Sequence, residues 1–284
     1  MTTILAIDAA WTATEPSGVA VVQEGPTGWR CLGVAPSYQE FFAQTEGRSP
    51  DWITQIFRGT LPDAPRLLDA AGSFAGEVVD LVTLDMPVAT VPFSSRRPAD
   101  DAVSVEFGTR WCSAHTPNAV RPGPLGDSLS SAIRTSGYEL ATTRTRGAET
   151  KRLVEVYPHP ALLSLLRCAR RVPYKVRKSR KYWPQLNVRE RIAALLREFD
   201  SIYQALQQVF GSLGFELPRA DRVPNLAHLK RYEDALDALV CAWVGVEYLS
   251  SRAVALGDET GAIWCPADVV HGRPIVRPNL GSEG

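Results

Sequence analysis

Ile4-Leu5-Ala6-Ile7-Asp8-Ala9-Ala10-Trp11 is an apolar run that ends in a carboxylate. A buried aspartate is costly unless a hydrogen-bond donor, a basic side chain or a metal ion compensates it. The chain continues through a polar turn, Thr12-Ala13-Thr14-Glu15-Pro16-Ser17-Gly18, into the apolar Val19-Ala20-Val21-Val22. Strand, turn and strand place Asp8 near the top of a hairpin. A second turn, Glu24-Gly25-Pro26-Thr27-Gly28, leads to Trp29-Arg30-Cys31-Leu32-Gly33-Val34-Ala35, so three antiparallel strands come first.

Further along, residues 37 to 57 mix helical spacing with Gly and Pro breaks, and residues 64 to 79 carry Leu67, Leu68, Ala71, Phe74, Ala75 and Val78 at the spacing of a helix. The next run, Leu81-Val82-Thr83-Leu84-Asp85-Met86-Pro87, reads as a strand covered on both faces, again with an aspartate at its end and a proline that stops it. Residues 92 to 127 are rich in Pro, Gly and Ser and read as an ordered functional loop with a short helix, headed by Ser94-Ser95-Arg96-Arg97-Pro98-Ala99-Asp100-Asp101. A helix is expected over 129 to 138. Arg152-Leu153-Val154-Glu155-Val156-Tyr157-Pro158-His159-Pro160 then gives a fifth strand with a carboxylate in its middle.

Between residues 167 and 181 the composition changes. Arg167, Arg170, Arg171, Lys175, Arg177, Lys178, Arg180 and Lys181 occur there without an acid, interleaved and followed by Tyr174, Tyr182 and Trp183. Such a segment suits a phosphate backbone and stacked bases; the plainer reading is a solvated insertion. Residues 187 to 213 form an amphipathic helix, and a last strong helix is expected from 226 to about 256. That helix holds Asp234 and Asp237, three residues apart and hence on one face. The plainer role for these two is to favour the positive N-terminal half of the helix.

Composition sets the outer limits. The 284 residues are 45% apolar, enough for one large domain or a domain with an insertion, and the charges balance at 31 against 31. No global field therefore draws the chain to nucleic acid or membrane, and any such attraction has to be local. Five scattered cysteines without a Cys-x-x-Cys pair suggest reduced thiols in the cytoplasm and argue against a zinc ribbon. No secretory signal is visible, and no apolar run approaches the length of a membrane span.

Taken in order, Ile7-Asp8-Ala9-Ala10-Trp11, Leu84-Asp85-Met86-Pro87, Arg96-Arg97-Pro98-Ala99-Asp100, Val154-Glu155-Val156-Tyr157-Pro158 and the acidic-apolar helix from Asp234 to Trp243 resemble the domain of unknown function 429 family, usually described as predicted nucleases. The resemblance implies an α/β ribonuclease H-like mixed sheet, three antiparallel strands followed by two parallel-type strands, flanked by helices. It treats residues 1–284 as one domain with a helical basic insertion at approximately 167–225.

It also implies a site in which Asp8, Asp85, Glu155 and Asp237 are catalytic and, with Asp234, hold Mg2+ or Mn2+, the oxygen-ligand chemistry that hard cations favour. Arg96, Arg97, Asp100, Lys175, Arg177, Lys178, Arg180 and Lys181 are the expected substrate-binding residues, with Arg97 and Asp100 equally readable as an ion pair. The leading expectation is a metal-dependent nuclease acting on DNA or RNA. A non-catalytic nucleic-acid- or protein-binding scaffold is the alternative. An actin-like or sugar-kinase-like phosphotransferase ranks below both, because no glycine run follows Asp85 or Glu155. His115, His228 and His271 receive no role. His159 reads as a strand-end polar residue, Glu15 as a turn residue and Trp11 as a cover on the core.

Overall fold

The computed structural model describes residues 1–270; His271 and the remainder of the expected 1–284 domain lie outside the described residues. β1 (Thr3–Asp8), β2 (Gly18–Gly25) and β3 (Gly28–Ala35) form the antiparallel meander. Two helices follow, α1 (Tyr38–Thr45) and α2 (Ala64–Ala75), which lead to β4 (Leu81–Asp85). Ser37 and Asp63 begin the two helices by accepting backbone N–H bonds from Glu40 and Arg66. Then come α3 (Pro98–Phe107), α4 (Pro124–Thr135), the two-residue β5 (Glu139–Leu140), β6 (Arg152–Val156) and α5 (Pro158–Leu165). The basic segment contains the short α6 (Ser179–Tyr182) and leads into α7 (Val188–Phe210), capped by Asn187 and Glu190.

The last helix, α8, spans Lys230–Leu249 and is shorter than the expected run to about 256. Its tail is instead β7 (Ala253–Gly257), which turns back into β8 (Ala262–Pro266). The apolar Ala253-Val254-Ala255-Leu256 continues the helical composition, but pairing with β8 from Ala253↔Pro266 to Gly257↔Ala262 satisfies its backbone groups in the sheet.

The sheet runs β3-β2-β1-β4-β6-β8-β7, with β5 also on β6; β1, β4, β6 and β8 are parallel, and the outer strands are antiparallel. This is a mixed α/β sheet flanked by helices, consistent with the ribonuclease H-like architecture. Alternation along the strands sends Ile4 and Ala6 to a core shared with α3, α5, α7 and α8, and Leu5 and Ile7 to a core shared with α1, α2 and α4. The segment 167–225 is not a free excursion: Val172, Tyr174 and Val176 are buried, and α7 packs on α8 and β3. Among the described residues no helix is long and apolar enough to cross a membrane.

Candidate functional site: an acidic floor under a basic wall

Pleat and register decide which carboxylates meet. Asp8 on β1 is paired directly with Asp85 on β4 at the carboxyl ends of adjacent parallel strands. Both continue the alternation of Ile4, Ala6, Leu81 and Thr83, so they face α8. On that helix Asp234 and Asp237 are buried in a run that is otherwise Ala, Leu, Val, Cys and Trp. Gly18, the partner of Asp8 across the hairpin, lets α8 approach: a Cβ there would stand 2.0 Å from the carbonyl oxygen of Asp234. At the far end Gly245 performs the same service against Thr83 and Ile4.

Glu155 does not join them. In β6 it is paired with Leu84, one residue before Asp85, and therefore leaves the sheet on the opposite face. There Arg97 holds it with two bonds, Nη1 to Oε2 at 2.7 Å and Nη2 to Oε1 at 2.6 Å, while the Val88 N–H donates to Oε2 at 3.1 Å. Arg97 also grips Asp100, through Nη2 to Oδ1 at 2.8 Å and Nε to Oδ2 at 3.2 Å. Arg97, Asp100 and Glu155 are 5%, 1% and 3% exposed. Arg97 is thus a buried clamp at the start of α3 instead of a phosphate-facing arginine, and both oxygens of Glu155, expected to bind a metal, are already occupied by donors.

The face with Asp8 carries five carboxyl groups, Asp8, Asp85, Glu233, Asp234 and Asp237, against two ammonium groups, Lys175 and Lys230. Lys175 donates to Asp237 Oδ2 at 2.5 Å and lies 3.4 Å from Glu233, while Tyr174 donates to the other Asp237 oxygen at 2.5 Å. Lys230 donates to Glu233 at 2.9 Å and also bonds Asp234 Oδ1, and the backbone N–H of Val176 donates to Glu233 at 2.7 Å. So Glu233 and Asp237 are well supplied. Asp234 Oδ2, by contrast, is buried without a partner.

The titration of these groups follows the supply of donors. Burial, then Asp237, Asp234 and Asp85, push Asp8 well above the ordinary carboxylate range, and the field of Lys175 recovers only part of the shift. Asp85 rises to about 7 through burial, with Lys175 opposing it, and Asp234 rises to about 7 through burial, with Lys230 opposing it. Asp237 is raised by burial in spite of Lys175. Burial acts on Glu233 as well, yet Lys230 and Lys175 together hold it below the usual range.

Above this floor opens a cleft of about 490 Å³, lined by Asp8, Asp85 and Asp234 below and by Arg121, Arg171 and Lys178 among the cations of its walls. Of the expected substrate-binding residues, Lys175, Arg177 and Lys178 line it. Lys175 reaches down into the acids, and Arg177 is paired with Glu15, which is therefore an ion partner as well as a turn residue. Arg96 is tied to its own helix through Asp101, the Asp100 carbonyl and Ser104, and Arg180 and Lys181 are exposed outside the cleft lining. Sequence reading gave no site role to Lys230, Glu233, His115 or His159 and placed Arg171 only within the basic segment, yet all five line the cleft. Lys230 and Glu233 had one available signal: with Asp234 and Asp237 they recur at three- and four-residue spacing on a single helix.

The donors suit a hard cation, since the ligands on offer are carboxylate oxygens, one of them buried and unpartnered. Among the described residues, however, no group of three or more His, Cys, Asp or Glu side chains is already gathered to hold a metal ion. Magnesium does not require one, being held by one or two carboxylates with water and substrate phosphates completing its shell. Asp8 and Asp85 are the pair that could supply such ligands, with Asp234 beside them.

Neither a curated protein nor a solved structure matches the chain. The family model described as "Protein of unknown function (DUF429)" matches residues 7–260, from β1 into the β7–β8 turn, and the chain belongs to that family.

Proposed function

We propose that the protein is a divalent-cation-dependent phosphodiesterase acting on nucleic acid, with Asp8 and Asp85 as the cation ligands and Asp234 as their neighbour from α8. One observation carries this reading: two aspartates lie side by side at the ends of parallel strands in a patch where carboxyl groups outnumber ammonium groups five to two. A bound Mg2+ or Mn2+ supplies the missing positive charge and, in this class of chemistry, a water of lowered pKa and a stabilised leaving oxygen. Asp237 and Glu233 keep Lys175 and Lys230 in place at the edge of that patch. Glu155, held on the other face, has no part in binding the cation.

The second reading, a binding scaffold without catalysis, is favoured by Lys175, whose ammonium group already occupies part of the acidic patch. Cleavage of single- and double-stranded DNA and RNA in Mn2+ separates the two. The expected result is cleavage by the intact protein that falls at least about a hundredfold in both Asp8→Asn and Asp85→Asn, with a Mn2+-dependent rise in melting temperature that both variants lose. Equal cleavage by all three proteins, or no thermal response to Mn2+ in the intact one, overturns the phosphodiesterase.

A further inference from the structure

The acids are not the only under-compensated charges in the cleft. Arg171 has its backbone N–H on the Arg110 carbonyl and one terminal guanidinium nitrogen against His159 Nε2, while its Nε is buried without a partner. His159 is 4% exposed and its Nδ1 is likewise buried and unpartnered. Lys178 and His115 stand on the same wall. Lys178 is lowered to about 8 by burial, then by Arg171, Lys175 and Lys181. Burial, then Lys178, Arg171 and Arg121, lower His115. The wall therefore repeats the problem of the floor with the sign reversed: cations crowd one another, and the neighbouring acids belong to Lys175, Lys230 and Arg177.

We propose that Arg171, Lys178 and His115, backed by His159, form a phosphate-binding subsite that seats a terminal phosphomonoester of a nucleotide or strand end next to the acidic floor. A monoester brings nearly two negative charges and three free oxygens, as a phosphorylated side chain does, whereas a diester within a strand brings one charge and two oxygens. Two cations on one wall, Arg171 and Lys178, with the His115 ring as a further hydrogen-bonding group, match the former. The N-terminus of α5, at Pro158 and His159, opens on the same cleft, where the helix dipole adds to the positive field. Trp11 and Tyr157 also line the cleft and offer rings for the attached base. A cleft of about 490 Å³ is of the size that holds a small ligand, and far too small for a duplex.

This inference deepens the reading of the floor by naming the end of the substrate, yet its test needs neither cation nor cleavage. Thymidine 5′-monophosphate, thymidine and inorganic phosphate are titrated by calorimetry against the full chain in EDTA. The monophosphate is expected to bind at least about tenfold more tightly than either of the others, and Lys178→Gln and Arg171→Gln are each expected to lose about tenfold of that affinity. Arg134→Gln, exposed on α4 and outside the cleft lining, should bind the monophosphate as well as the intact protein does. Lys178 is half-buried and, among the described residues, holds no acid in an ion pair, although the field of Glu233 reaches it, so its variant serves where Arg171→Gln disturbs the fold; circular dichroism decides that point.

Monophosphate binding no tighter than thymidine, or unchanged in a folded Lys178→Gln, overturns the subsite. Inorganic phosphate binding as tightly as the monophosphate reduces it to an ion site and overturns the strand-end assignment. Cleavage that depends on Asp8 while the monophosphate ignores Lys178 sinks the subsite alone; monophosphate binding without any cleavage sinks the phosphodiesterase alone.

Discussion

Two groups of buried carboxylates lie close together at the strand ends of this molecule, and they have been treated in opposite ways. Glu155 and Asp100 share one arginine whose planar fork fits both, and the Val88 N–H donates to Glu155 as well. Asp8, Asp85 and Asp234 sit among more acids than cations, and one of their oxygens has no partner at all. The satisfied cluster ties α3 to the strand ends, and the unsatisfied one holds repulsion that the proposed cation would relieve.

Removing the clamp should therefore have the largest effect. Arg97→Met leaves two buried carboxylates facing each other, and a loss of about 3–5 kcal/mol is expected in urea unfolding at pH 7, the usual consequence of deleting one member of a buried ion network. A loss below about 1 kcal/mol would mean that the clamp is not satisfied in the way its geometry implies.

The floor should respond with the opposite sign. Asp85 binds its proton more readily in the folded protein, at about 7, than in the unfolded chain, near 3.8. Its contribution is favourable at low pH and is lost as pH rises through about 7. Asparagine does not ionise, so Asp85→Asn is expected to stabilise the cation-free protein by about 1–2 kcal/mol at pH 8, a gain that shrinks toward zero by about pH 4. Melting temperatures of the two proteins in EDTA across that range check it. A destabilising or pH-independent effect breaks the contrast with the Arg97 clamp.

The smallest effect belongs to the surface. Arg177 pairs with Glu15, yet its side chain is 66% exposed. Arg177→Ala should change stability by less than about 1 kcal/mol and should be invisible in moderate salt. A larger change would show that the pair anchors the basic segment.

Much of this contrast was open to sequence reading, and the part that was not has a definite cause. Asp8 and Asp85 announce themselves because each ends an apolar strand, and Asp234 and Asp237 because they interrupt an apolar helix. Glu155 looks the same, in the run Leu153-Val154-Glu155-Val156, but a strand buried on both faces has no alternation to show which side a residue takes. Only the pairing of Glu155 with Leu84 reveals that it points away. Lys175 is hidden for another reason. It reaches Asp237 across 62 positions of chain, and inside a run of eight basic residues nothing local marks the one that turns inward. The β7–β8 hairpin was missed because four apolar residues after a helix fit its period as well as a strand's.

Gly18 leaves a last consequence. The backbone of α8 touches β2 at the place where a side chain is missing, so the gap between Asp8 and the helical acids is measured by an empty volume and not by any acid. A methyl group at position 18 would push the helix end away from the sheet by the width of a contact. The spacing of these acids is thus adjustable from a residue with no chemistry of its own.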